Sequence, residues 1–429
     1  MKYNITESEG FSLATITAPS TKTFVAYLSV DIHTEQSALL RATELLYTDA
    51  LISGAGKYNR ETFLDAINSL GATISAGISD GVLTIFIRCD GTVFKKVLAL
   101  VEIMLEAPHF NKEELKRIKQ TVTNALKESK EDTRAIAHEQ LRNAFYGPQD
   151  RRYTYDEDTL ISAITRVTAK DLQSLHKKVR SLGWTCSVSG NPINAEMLKK
   201  GVAKLRKGSH KTVATFGIHQ QKPPYPSLTL KDIPSKQNID FSIGAPVPIT
   251  LHHPDFIPLM FGIAVLGKWG GFTGRLMSTV REQEGLTYGI YAKTETFFNE
   301  EQGYWRIMSF FAPEKALQGL TSTFREIKKL YQHGITESEL KLFKQILSTA
   351  HVLQNDSLSS QLNDLHGYHM QKFSLQEIAE HKSKIHSLTR DEVNSAIKHY
   401  LNPAYLTVSG AGPTAKVRGE LQTFMKNVS

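Results

Sequence analysis

RVTAKDLQSLHKKVRSLGWTCSVSGN, residues 166–191, and SLTRDEVNSAIKHYLNPAYLTVSGAG, residues 387–412, read as one plan written twice. In each, a threonine suited to a helix N-cap (Thr168, Thr389) opens an amphipathic helix. A strand follows and ends in Ser-Gly, at Ser189-Gly190 and at Ser409-Gly410. Upstream, FNKEELKRIKQTVTNAL from Phe110 matches ITESELKLFKQILSTAH from Ile335, with Asn111 and Thr336 each three residues before a glutamate, Glu114 or Glu339. That spacing is a capping-box signature. The offset stays near 220 residues throughout, too long for a solenoid period. It implies two homologous domains of about 200 residues each.

The boundaries that follow are 1–206 for the first repeat, 207–236 for a linker and 237–429 for the second repeat. The linker carries four prolines and little helical periodicity, although TVATFGI within it could pair as an edge strand. In the first repeat TFVAYLSVDI alternates as a strand, and SALLRATELLYTDALIS places Leu39, Ala42, Leu45, Leu46 and Ala50 at helical spacing. ATISAGIS and VLTIFIRC form a hairpin about Asp80-Gly81, and VFKKVLALVEIML is a helix. The predicted class is α+β, with two homologous domains, each a largely antiparallel sheet with helices packed on one face.

Composition narrows the function. Of 429 residues, 41% are hydrophobic and 22% charged, ordinary for a globular protein. The net charge is +8, but the cations are spread along the chain and accompany no nucleic-acid-binding motif, so nucleic acid is not an expected partner. Two cysteines, Cys89 and Cys186, sit in strand-like runs and read as buried free thiols. No apolar run is long enough to span a bilayer, and the first residues lack a signal-peptide core. The sequence as given reads as cytoplasmic; removal of a targeting segment would make it periplasmic or organellar.

GGFTGRLMSTVREQEGLTYGIYAKTE, residues 270–295, carries the chemistry. A glycine pair precedes a short helix that Arg281 closes, the chain breaks at Gly285, and Tyr288 opens an aromatic-rich strand. Two bland readings stand beside a functional one. An arginine in a last helical turn complements the helix dipole. Tyr288 shares a strand face with Leu286 and Ile290 and could be core.

Two such repeats resemble the pitrilysin/insulinase-like zinc peptidases, in the branch that includes the mitochondrial processing peptidase subunits and their bacterial relatives. The resemblance covers nearly the whole chain. Its most specific piece is Gly270-Gly271, then GRL at Gly274–Leu276, Arg281-Glu282 and GLTY at Gly285–Tyr288. The resemblance implies that Arg281 and Tyr288 project into a peptidase chamber, hold substrate backbone and polarise the carbonyl under attack. The residue types suit that role, because a developing oxyanion needs fixed donors, and arginine and tyrosine supply them.

The family's metal motif is H-x-x-E-H, two histidines on one helical face sharing zinc with a glutamate as general base. Registered on the following Ser-Gly turn, its ligand positions here are Leu45 and Asp49 and its base position Thr48. The more distant glutamate ligand falls near Ala125; Glu128 is close but has no histidines to join. Elsewhere His366 and His369 stand three apart on a helix, with no glutamate between them, and His252-His253 read as loop histidines. The resemblance therefore implies a subunit without a metal site of its own. It would supply substrate-binding Arg281 and Tyr288 to an H-x-x-E-H partner of the same fold, which holds the zinc and cleaves a peptide substrate. A homodimer is the other possible assembly. The alternatives are a scaffold or peptide-binding pseudoenzyme without peptidase activity, and a self-sufficient peptidase with an unrecognised metal site.

Overall fold

The helix starts marked in the sequence are closed by hydrogen bonds. The computed structural model describes residues 2–8, 10–18, 21–32, 36–205, 226–268 and 271–428. At the helix Ala169–Ser181 the Thr168 N–H donates to the Asp171 carboxylate at 2.7 Å. At Arg390–Tyr400 the Thr389 N–H donates to Glu392 at 2.8 Å, and the Glu392 N–H returns a bond to the threonine hydroxyl at 3.2 Å. The Glu114 N–H donates to the Asn111 side chain at 2.8 Å, and the Thr336 N–H to Glu339 at 2.8 Å. Each cap satisfies amide groups that the first helical turn would leave open.

The first sheet has six strands: β1 (Lys2–Ser8), β2 (Phe11–Thr17), β3 (Thr23–Asp31), β4 (Thr73–Ser79), β5 (Val82–Asp90) and β6 (Trp184–Gly190), in the order β1-β2-β6-β3-β5-β4. The second has five: β7 (Ser227–Asp232), β8 (Ile239–Pro246), β9 (Ile290–Glu295), β10 (Tyr304–Phe311) and β11 (Thr407–Gly412), in the order β7-β11-β8-β10-β9. Both sheets are antiparallel except for one parallel pair each, β2–β6 and β7–β11. The β4–β5 hairpin turns at Asp80 and Gly81, whose φ values of 47° and 76° are those of a two-residue turn matched to strand twist. Most of the 207–236 stretch, including TVATFGI, lies outside the described residues; its last part supplies β7.

Two compact units result, and they cut across the sequence repeats. The first contains the residues through Lys127, those from Tyr155 through the helix Pro192–Leu205, and Val352–Ile378. The second contains Glu128–Thr154, the chain from β7 to His351, and the residues from Ala379 onward. The repeats have exchanged one helix each. Thr133–Phe145, from the first repeat, packs on β8 and β11; Leu358–Met370, from the second, packs on β6 and β3.

The exchanged helices cover the more polar side of each sheet. In the first unit Phe24, Ala26, Leu28 and Val30 of β3 face the apolar core that most of its helices build. On the other side Ser29 bonds His366, and Tyr27 stacks on the His366 ring at 5.0 Å. In the second unit Phe241, Ile243 and Ala245 face the core. On the other side the Thr133 hydroxyl donates to Asp240 at 2.6 Å, and His138 Nε2 lies 2.7 Å from the Tyr304 hydroxyl. Among the described residues the helices thus lie mainly on one face of each sheet, with one exchanged helix on the other.

Cys89 and Cys186 are buried free thiols, and burial pushes both thiol pKa values up. Among the described residues no helix is long and apolar enough to cross a membrane.

Candidate functional site

Gly274 begins the site. Its φ of +116° is a glycine conformation, and a Cβ there would stand 2.8 Å from the Gly267 Cα. The two glycines let the start of the next helix press against the end of Phe256–Gly267. Arg275 then pins the segment, donating to both oxygens of Glu339 at 2.7 and 2.8 Å and to the Gly334 carbonyl at 2.8 Å.

Met277–Gln283 is a π-helix, a widened turn in which the Glu284 N–H reaches the Thr279 carbonyl at 3.0 Å. Such turns are rare and recur at functional sites. Met277 and Val280 are buried, while Arg281 keeps about a third of its side chain exposed. The Glu284 carboxylate ties the end of the turn to Ser322 and Arg325 of the helix Ala316–His333. Gly285, at φ +60°, ends it.

The strand expected to open at Tyr288 begins two residues later, at Ile290. Thr287 is buried, and its hydroxyl donates to the Gly289 carbonyl at 3.1 Å, which bends the chain. Strand alternation therefore does not apply. Leu286 and Ile290 are buried, yet Tyr288 between them is 85% exposed. The reading of Tyr288 as core is corrected here.

Arg281 and Tyr288 line one open cleft of about 670 Å³. Its other walls come from Asn238, Glu282, Leu286, Thr287, Phe310, Glu314 and Lys315. The Arg281 guanidinium lies 3.8 Å from the Glu282 carboxylate and 5.0 Å from the centre of the Phe272 ring, which is itself exposed. Neither Phe272 nor Lys315 carried a sequence signal: Lys315 reaches the cleft only because β10 ends there. Trp269 and Gly270 lie outside the described residues.

The zinc-motif positions do not form a ligand set. Leu45 and Thr48 are half-buried and Asp49 exposed on the helix Ala38–Leu51, and Ala125 is exposed on Lys112–Ser129. A leucine, a threonine, an alanine and one solvated carboxylate do not fit zinc. The inward face of Ala38–Leu51 carries Tyr47 instead, whose hydroxyl lies 2.8 Å from His176 Nδ1. Beside it Glu44 is buried against Arg41 at 3.0 Å, and burial raises its pKa. Among the described residues no group of three or more His, Cys, Asp or Glu side chains gathers as metal ligands would.

The histidines singled out in the sequence do not gather as ligands either. His366 has Ser29 Oγ 2.9 Å from Nε2 and Ser187 Oγ 2.9 Å from Nδ1. His369 has the same Ser187 hydroxyl at 3.2 Å from Nδ1, and Ser12 at Nε2. All four ring nitrogens meet serine hydroxyls, which leaves none for a cation. His252 and His253 lie in a turn, where His253 Nδ1 accepts the Asp255 N–H at 3.1 Å.

Fold and site together define a chain of two α+β units, with an open cleft in the second and, among the described residues, no gathered set of metal ligands. Two family descriptions match it: "Insulinase (Peptidase family M16)" over residues 46–155 and "Peptidase M16 inactive domain" over residues 166–347. The chain belongs to the M16 (insulinase) family. A relative in Helicobacter pylori, named "Non-peptidase homolog YmxG", is 23% identical over 82% of this chain and 80% of its own. A peptidase M16 inactive domain from Pseudomonas fluorescens shares the fold with a TM-score of 0.84 at 20% identity, covering 97% of this chain and 98% of that one. A chain of Complex III2 from Candida albicans shares it at 0.76 and 16% identity, with 97% of each covered.

Proposed function

We propose that this chain is the non-catalytic subunit of a two-chain zinc peptidase, presenting Arg281 and Tyr288 to the active site of an H-x-x-E-H partner of the same fold. The observation that carries this reading is the exposure of Tyr288. A large aromatic side chain stands 85% exposed between two buried neighbours, on the wall of a cleft that Arg281 also lines. A phenol and a guanidinium in one cleft can donate to a peptide carbonyl, and to the oxyanion it becomes, without any metal held by this chain. The zinc belongs to the partner, because Leu45, Thr48, Asp49 and Ala125 cannot bind it.

Affinity purification of the native protein from its source cell tests the assembly. Recovery of a similar-sized H-x-x-E-H chain in equal amount supports the proposal; recovery of this chain alone, or paired with itself, overturns it. A second reading has one observation of its own, the likeness to a chain of Complex III2. In it the fold serves as architecture or as a peptide-binding module. Under that reading the Arg281 and Tyr288 variants leave the activity of any associated peptidase untouched.

A further inference from the structure

Resting on the peptide-binding reading of the cleft, we infer that Lys315 and Arg281 form a subsite for a carboxylate of the bound peptide, with Tyr288 beside it. Both cations line the cleft, reaching it from different elements. Arg281 comes from the π-helix, and Lys315 from the one-turn helix Pro313–Lys315 that follows β10. Lys315 is exposed, and among the described residues its ammonium makes one long contact, 3.4 Å to the Gly285 carbonyl. No carboxylate among the described residues stands within ion-pair distance of it. Among the described residues the Arg281 guanidinium has the loose 3.8 Å pair with Glu282 and the ring contact with Phe272, and about a third of the side chain is exposed.

The donor inventory decides the ligand class. An ammonium brings three donors and a guanidinium five; the Tyr288 hydroxyl and the Asn238 amide add to them. Against these stand two carboxylates, Glu282, already beside Arg281, and Glu314. A ligand group that only accepts, a carboxylate, completes such a wall, and a bidentate pair with arginine is its strongest form. At Lys315 itself a cationic side chain would meet a like charge that no carboxylate among the described residues offsets, whereas Glu282 already stands beside Arg281. The carboxylate can come from an Asp or Glu side chain or from the peptide's C-terminus.

The test uses the full-length chain and fluorescein-labelled peptides of about twelve residues, long enough to cross the cleft in extended form. Four share one sequence: a central Glu, Gln or Lys with an amidated end, and the Gln peptide with a free C-terminus. Anisotropy should show the Glu or the free-ended peptide bound roughly three- to tenfold more tightly than the amidated Gln peptide. Which of the two gains identifies the source of the carboxylate. Lys315→Gln should erase the preference and Lys315→Glu should transfer it to the Lys peptide, with unchanged melting temperatures as the folding control. Equal binding of all four peptides, or a preference that survives Lys315→Gln, overturns the subsite. If that uniform binding is still weakened by Arg281→Ala, the peptide-binding reading stands without it. Failure of every peptide to bind overturns both.

Discussion

Tyr288 shows how one buried hydroxyl decides a site. The Thr287 hydroxyl donates to the Gly289 carbonyl, the backbone bends, and the tyrosine that alternation would bury turns outward. In the reconstituted complex, Arg281→Ala with Tyr288→Phe should lower kcat on a peptide substrate by about 10²- to 10³-fold, the usual cost of lost oxyanion donors, with co-purification of the subunits unchanged. Turnover within twofold of wild type would make the pair structural. The glycines rank by geometry. Gly285→Ala meets only the left-handed backbone cost of about 1–2 kcal/mol, since nothing lies within 4 Å of its Cβ position. Gly274→Ala also drives a Cβ onto the Gly267 backbone, so urea melts should show the larger loss there. Ser189 and Ser409, the equivalent serines of the two repeats, have buried hydroxyls with no hydrogen-bond partner among the described residues. Replacing either by alanine removes that unsatisfied group, so stability should hold or rise by up to ~1 kcal/mol. A loss above 1 kcal/mol would show that the hydroxyl is satisfied.

The exchanged helices are held differently from the rest. Leu358–Met370 docks through a run of hydrogen bonds that passes from Glu7 and Ser12 through His369, Ser187 and His366 to Ser29 and Thr84. Burial lowers the pKa of His366 to about 3 and of His369 to about 4. In the second unit burial, then the nearby Arg306, lower His138 to about 4. The sign follows from linkage. The unfolded chain takes up these protons near pH 6.5 and the folded chain only near pH 3–4, so what these histidines contribute to stability is full above pH 6.5 and falls as the pH drops toward 4. Each histidine contributes up to ~1.4 kcal/mol per pH unit in that window. Urea melts at pH 7 and pH 5 should therefore differ by several kcal/mol, and His369→Gln should narrow the gap. A gap that the variant leaves unchanged would place the acid sensitivity elsewhere.

At the scale of the whole chain the exchange binds the repeats to each other. Residues 1–206 lack the helix that covers β6 and β3, and residues 237–429 lack the one that covers β8 and β11. Expressed separately, each would leave buried serines, Asp240 and the aromatic patch of Tyr304 open to solvent. Each half alone should lose cooperative unfolding and bind hydrophobic dyes, while co-expression should restore a folded pair. Cooperative melting of either half alone would show that the exchanged helix is dispensable.

The sequence by itself determined the repeated plan, the caps at Thr168 and Thr389, the Asp80-Gly81 hairpin and the resemblance that the family matches bear out. These are local or periodic features, and local chemistry fixes them. Tertiary structure alone decided the rest. Sequence order hid the helix exchange, because the packing joins residues from 107 (Thr133 to Asp240) to 357 (Ser12 to His369) positions apart. It hid the turn of Tyr288, because a side-chain hydrogen bond overrode the alternation. It hid Lys315 in the cleft, because only the end of β10 brings that lysine to the wall that Arg281 already lines.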